Sequence, residues 1–130
     1  MNWKESLSVD VVSLDREHQD LADALDRLFD GLRAGMEQDT FLAALDRLTE
    51  KVAAHFAHEE RVMRNIGMPD VAGHCHLHRS LLEEVRQFRA DQADRFDPRS
   101  VEPVEQFLRF WLYRHIAAED HKIGQHLNRA

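Results

Sequence analysis

Apolar residues recur along most of this chain at alternating steps of three, four and one, the spacing of one face of an α-helix. Four such stretches occur, separated by breaks rich in Gly, Pro and short polar residues. They predict helices at about residues 15–34, 40–66, 70–94 and 101–127. No stretch alternates between apolar and polar residues as a β-strand does. The pattern therefore predicts an all-α protein.

Local signals define the ends of these predicted helices. Ser13 or Asp15 can cap the first and Asp70 the third, while Gly67 and Pro69 end the second. Because the connections are short, neighbouring helices should run antiparallel. We expect one domain that spans the whole chain, an up-down-up-down antiparallel four-helix bundle with a non-helical N-terminal arm.

Histidines interrupt the apolar faces near one end of the predicted bundle. Five of them keep the spacing of the apolar residues and should point inward: His18, His55, His74, His78 and His115. Glu59 lies one turn after His55, and Asp120 follows His115. A single inward histidine is usually a hydrogen-bonded core residue. Burying so many polar groups in one layer would cost several kcal/mol without a further partner, which a metal would supply.

The number of ligands indicates how many metal ions the layer would hold. Five imidazoles with carboxylates are too many for one ion, so two ions are implied. If two carboxylates and a solvent oxygen bridge them, a split of three and two histidines leaves one metal with an open position. Ligation rich in imidazole suits iron, although the same ligands would also bind other divalent transition metals.

Charge and composition exclude several classes of partner. The net charge of −7 opposes binding to a phosphate backbone or an anionic membrane surface. The single cysteine permits no internal disulfide, and the N-terminus lacks the pattern of a signal peptide. No apolar stretch approaches the roughly 20 residues of a membrane span. We expect a cytoplasmic protein that binds neither nucleic acid nor membranes.

Four segments resemble the motifs of the hemerythrin family, in particular its bacterial single-domain members: "SLDREHQDL", "HFAHEERVMRNIGMP", "HCHLH" and "WLYRHIAAED". The resemblance implies two iron ions per chain, joined by an oxo or hydroxo bridge. Ligands of the coordinatively saturated iron would be His74, His78 and His115. Ligands of the iron that binds dioxygen would be His18 and His55. The bridging carboxylates would be Glu59 and Asp120.

The same resemblance implies an apolar dioxygen pocket. Its wall would consist of Leu21, Phe56, Trp111, Leu112 and Ile116. No acid or base is expected beside the open metal position, which favours reversible dioxygen binding, for storage, delivery or sensing, over catalysis. Small anions such as azide would bind the ferric state. The alternative is a di-iron peroxidase or oxidase, although the Glu-x-x-His motifs of ferritin-like bundles are absent. We expect a monomer, and a sensor would need a separate protein partner.

The remaining histidines and the cysteine are not predicted to bind metal. Those off the inward faces should be solvated surface residues: His58, His76, His121 and His126. Cys75 should be a small packing residue or a surface thiol. An ideal helix would place Glu119 beside His115, whereas the resemblance selects Asp120. Asp120 requires a local widening of the fourth helix, as in a π-bulge.

Overall fold

The computed structural model describes residues 12–115 and 122–123. Four α-helices follow one another within these ranges, and no strand occurs there: α1 (Val12–Arg33), α2 (Gln38–Asn65), α3 (Val71–Arg95) and α4 (Val101–His115). Helix α1 packs against α2 and α4, and α2 packs against α3. The predicted all-α four-helix bundle is confirmed. The predicted N-terminal arm lies outside the described residues, as does most of the predicted continuation of the fourth helix.

Contacts between helix ends show that packed neighbours run antiparallel. The side-chain amide of Gln38, at the start of α2, donates to the carbonyl oxygens of Gln92 and Ala93 near the end of α3, at 3.0 and 2.9 Å. Arg33, in the last turn of α1, pairs with Glu105 in α4. The starts of α1 and α3 therefore share one end of the bundle with the ends of α2 and α4.

The core consists of the apolar stripes that the sequence pattern predicts. Fully buried members from the four helices include Leu25, Phe29, Phe41, Leu45, Val85 and Leu108. Burying a side chain of this size stabilises the fold by about 1.5–3 kcal/mol. Some predicted members are only partly buried and lie at the edge of the core: Ile66, Leu82, Phe88 and Phe107.

Two predicted helix starts differ from the structure. Ser13 and Asp15 lie inside α1, which already includes Val12, so neither caps it. The apolar stripe begins earlier than expected, because Leu14 is fully buried. Helix α2 begins two residues before its predicted start, after Glu37, whose backbone is extended.

The connection between α2 and α3 fixes where the third helix begins. Gly67 ends α2 with a φ of 67°, a conformation that favours glycine. Asp70 caps α3 as predicted, and its side chain accepts a hydrogen bond from the amide of Gly73 at 3.2 Å. A Cβ atom on Gly73 would lie only 2.5 Å from that carboxylate. This cap directly precedes His74.

A helix must be long and apolar to span a membrane. Within the described ranges, none of the helices combines enough length with enough apolar character to cross a membrane.

Candidate metal centre

Six buried polar side chains meet at one end of the bundle. They are the five histidines predicted to point inward together with Glu59: His18, His55, Glu59, His74, His78 and His115. The exposed fraction of each is at most 7 %. Their potential ligand atoms form two groups, one of three histidines and one of two histidines with Glu59. Within each group these atoms lie within 4.8 Å of one another.

Helices α3 and α4 supply the three-histidine group, which consists of His74, His78 and His115. His74 and His78 are one turn apart on α3, and their ring centroids lie 4.9 Å apart. The ring of His115, on α4, lies 5.8 Å from that of His74 and 4.8 Å from that of His78. Phe56 stacks on His78 with parallel rings at 4.1 Å. An aromatic side chain therefore closes this group on one side.

Helices α1 and α2 supply the two-histidine group, which consists of His18 and His55. Their Nε2 atoms lie 3.1 Å apart. Ligand atoms bind a metal at about 2.0–2.2 Å, so two ligands at right angles are separated by about 3 Å. The spacing of these nitrogen atoms matches that of neighbouring ligands of one ion.

Glu59 lies between the two groups. Its Oε1 atom is 3.3 Å from the Nε2 atoms of both His78 and His115, and 3.4 Å from that of His55. Its Oε2 atom is 3.7 Å from Nε2 of His18. One carboxylate thus contacts members of both groups, and it could bridge two ions held by them.

The orientation of His78 tests whether a cation fits this layer. Its Nδ1 lies 2.8 Å from Oε2 of Glu60. Because an ionised carboxylate only accepts hydrogen bonds, Nδ1 donates to it, which leaves a lone pair on Nε2 whenever the ring is neutral. That buried Nε2 makes no hydrogen bond within the described part of the chain, and it faces Glu59. A lone pair so close to a carboxylate oxygen is repulsive unless a cation lies nearby, so these ligands fit a metal ion.

Glu60 connects His78 to the cysteine. Its Oε1 atom accepts a hydrogen bond from Sγ of Cys75 at 3.0 Å. Burial acts to raise the pKa of Glu60, but the hydrogen bonds from Cys75 and His78, together with the nearby charge of Arg64, outweigh it and hold the pKa below its usual value. Burial and the bond to Glu60 raise the pKa of the Cys75 thiol. Cys75 is buried, so the packing interpretation holds and the surface interpretation is wrong.

Glu17 bonds to a histidine of the two-histidine group in the same way that Glu60 bonds to His78. One carboxylate oxygen is 2.6 Å from Nδ1 of His55, and the other is 2.7 Å from Nδ1 of His58. His58 was predicted to be a solvated surface residue and not a ligand; its side chain is 28 % exposed and bonded to Glu17, so it is less solvated than predicted, and it belongs to neither ligand group. His76, by contrast, is exposed as predicted. His121 and His126 lie outside the described residues.

Four of the five predicted wall residues are buried: Leu21, Phe56, Trp111 and Leu112. The indole N–H of Trp111 donates to the carbonyl oxygen of Leu81 at 2.9 Å, so that donor is already used. The fifth wall residue, Ile116, lies outside the described residues. The same is true of Asp120, the second predicted bridging carboxylate, and of the predicted widening of the fourth helix.

Sequence reasoning missed the two glutamates that bind the outer nitrogen atoms of the histidines. Glu17 directly precedes a predicted ligand, and Glu60 directly follows one. The available signal was general, since a histidine that binds a metal usually donates its other N–H to a carboxylate or carbonyl. The sequence does not show which carboxylate on a neighbouring helix reaches which ring.

Comparison with known proteins identifies the family. A model of the hemerythrin HHE cation binding domain matches residues 9–127. The chain belongs to this family. Among curated relatives, the bacteriohemerythrin of Stenotrophomonas maltophilia is 24 % identical, with 97 % of this chain and 83 % of that protein aligned. The bacteriohemerythrin of Clostridium acetobutylicum is 23 % identical, over 91 % of this chain and 94 % of that protein. The myohemerythrin of Theromyzon tessulatum is 26 % identical, over 92 % and 88 %.

Proposed function

We propose that this protein binds dioxygen reversibly at a non-haem di-iron centre. The observation that carries the proposal is the position of Glu59, which contacts both histidine groups inside a buried layer. The similarity to bacteriohemerythrins and a myohemerythrin supports it. Bound iron would supply electrons to dioxygen and recover them on release.

The proposed ligand set follows the two groups. One iron would be held by His74, His78 and His115, and the other by His18 and His55. Glu59 would bridge the two ions, together with Asp120 and a solvent-derived oxo or hydroxo group. The iron with two histidines would have the open position.

The pocket wall would protect the bound gas from protons and water. Leu21, Phe56 and Leu112 are buried and carry no polar side-chain atom, and the Trp111 N–H is bonded to backbone. These residues offer no group that can protonate a bound ligand, which favours release of dioxygen over its reduction. Ile116 would complete the wall. We propose that the whole chain is one domain and acts as a monomer.

An enzyme that uses the same centre is the second candidate, and one observation favours it. Glu17 and His58 form a half-buried acid–base pair that bonds directly to His55. Such a pair can pass protons between solvent and a metal site, which a peroxidase or oxidase requires. The pair contacts the outer nitrogen of His55, whereas the wall contains apolar side chains. For this reason we favour reversible binding.

An optical spectrum distinguishes the two functions. Purified protein is reduced, aerated and deoxygenated, and its iron content is measured. We expect two iron ions per chain and a charge-transfer band that appears with air and disappears without it. The variant His55→Ala should lose the band, while His76→Ala, which removes an exposed histidine, should keep it. Turnover of peroxide or substrate without a reversible band would favour the enzyme.

Anion binding tests which iron is open. Azide added to the ferric protein should bind at the iron held by His18 and His55. A crystal structure of the azide complex would show its position. Azide on the iron of the three-histidine group would contradict the assignment.

A further inference from the structure

One face of α2 carries a row of basic side chains. Arg47, Lys51, His58 and Arg61 fall within an arc of about 80° at 100° per residue, and no acidic residue of α2 lies in that arc. Arg47, Lys51 and Arg61 are exposed. We call these four residues the α2 basic face.

One residue of this face lies in an ion pair within the described part of the chain, since His58 bonds to Glu17 at 2.7 Å. Arg47, Lys51 and Arg61 make none there. On other surfaces of the bundle arginines do pair with acidic side chains, as Arg89 does with Asp46 at 3.0 Å. The face is therefore a locally positive surface on a chain whose net charge is −7.

Charged groups from α1 also face this region. Arg27 lines a cavity of about 340 Å³ together with Arg47 and Lys51. Glu17 and Asp20 line a second cavity of about 510 Å³ together with Lys51 and Arg61. Across the two cavities one lysine and three arginines face these two carboxylates, so the positive sign dominates.

The basic face leads directly to the proposed open iron. The cavity of about 510 Å³ is lined by Lys51, His58 and Arg61, and also by His55 and Leu21. His58 bonds to Glu17 and Glu17 bonds to His55, at 2.7 and 2.6 Å. A molecule seated on this face would lie beside His55, a proposed iron ligand, and beside the carboxylate that bonds to it.

We propose that the α2 basic face docks an acidic one-electron carrier protein that reduces oxidised iron. The proposal rests on the proposed di-iron function, because a ferric centre must regain electrons before it can bind dioxygen again. Two reduced carriers would each lose one electron in turn, and the two ferric ions of one chain would each gain one. Complementary charge steers such encounters and fixes their orientation. A nucleic acid is the less favoured polyanion because the net charge of the chain opposes it.

Reduction kinetics test the docking face. The probe is a reduced plant-type [2Fe–2S] ferredoxin, an acidic protein, mixed without oxygen with the ferric protein at low and high ionic strength. The variant Lys51→Glu/Arg61→Glu removes positive charge from the face. The variant Arg86→Glu/Arg95→Glu has the same net charge but changes exposed residues of α3. Dithionite, a small reductant, serves as the second control.

We expect the rate with ferredoxin to fall roughly tenfold in the α2 variant and with added salt, because steered association depends on charge. The α3 variant should keep most of the rate, and dithionite should reduce all three proteins equally. Equal slowing in both variants, no slowing in either, or a rate independent of salt would overturn the proposal.

Cross-linking gives a second measurement that does not depend on oxygen binding. A zero-length carbodiimide joins amines to carboxylates, and mass spectrometry should find Lys51 linked to ferredoxin, with the cross-link lost at high salt. If this link forms in a protein that fails the optical test, docking holds and the proposed oxygen binding fails. If Lys51 remains unlinked while lysines elsewhere react, the docking proposal is wrong. Binding to duplex DNA that the α2 variant loses would assign the face to a nucleic acid and also overturn it.

Discussion

In each histidine group a glutamate bonds to the outer nitrogen of one histidine, but the surroundings of the two glutamates differ. His78 bonds to Glu60, which is held by the buried thiol of Cys75, and Phe56 covers its ring. His55 bonds to Glu17, whose other oxygen binds the partly exposed His58 beside a surface cavity. The carboxylate behind His78 thus lies against a buried thiol, whereas the carboxylate behind His55 lies beside a surface cavity. The difference concerns the outer nitrogen of each ligand, on the side away from the proposed open position.

The largest effect should come from removing the residue that belongs to both groups. Glu59→Ala should lose nearly all bound iron, because its carboxylate contacts histidines on each side. Elemental analysis measures the iron per chain, and Glu50→Ala, at an exposed position of α2, is the matched control. Retention of one full iron would show that Glu59 serves only one group.

A similarly large effect is expected from the second proposed bridge. Asp120→Ala should lose most of the bound iron, while Glu119→Ala should retain it, because the family motif places the bridging carboxylate at Asp120. Iron analysis of the two variants side by side decides between them. A loss confined to the Glu119 variant would mean that the ideal helix count from His115 is right.

Removing either outer carboxylate, that of Glu17 or that of Glu60, should have an intermediate effect that is confined to its own histidine group. Removing such a partner of a ligand histidine typically weakens metal affinity 10–100-fold. Glu60→Ala should weaken iron binding in the three-histidine group, and Glu17→Ala should weaken it in the two-histidine group. Competition with a chelator measures the affinities, and the azide spectrum reports the two-histidine iron. If both variants change the azide spectrum equally, the two groups are not independent.

A change in the pocket wall should alter kinetics more than iron content. Leu112→Ala should speed autoxidation because water would reach the bound ligand more easily. Leu108→Ala is the matched control, since it removes an equally buried leucine one turn earlier on α4. Each should destabilise the fold by about 2–5 kcal/mol. Equal autoxidation rates in the two variants would place the wall elsewhere.

The smallest effect is expected at Cys75. Cys75→Ala removes one hydrogen bond to Glu60 and should lower the free energy of unfolding by about 1 kcal/mol. Cys75→Ser keeps a donor and should behave more like the original protein. Chemical denaturation and iron analysis measure both effects. A loss of iron as large as that in Glu60→Ala would give the thiol a larger role at the three-histidine group.

The sequence predicts the bundle and the inward histidines because both depend on helical periodicity. The position of His18 relative to Leu21, for example, fixes the face on which it lies, and short connections fix the direction of each helix. Contacts between helices depend instead on side-chain rotamers and on the distance and angle at which two helices pack. For that reason His58 was predicted to be solvated, although Glu17 on α1 reaches it.

The glycine before the first ligand of α3 has a consequence for protein engineering. Replacing glycine by alanine inside a helix usually favours the helix by about 1 kcal/mol, so a search for stabilising changes would select Gly73. Here the added methyl group would collide with the carboxylate of Asp70, which caps the helix. The colliding atoms are the end of a flexible side chain, so the Asp70 carboxylate would turn away and its hydrogen bond to the amide of residue 73 would weaken. Loss of an N-cap costs about 0.5–2 kcal/mol, which offsets the gain from helix propensity, so position 73 should be left unchanged in any stabilised variant.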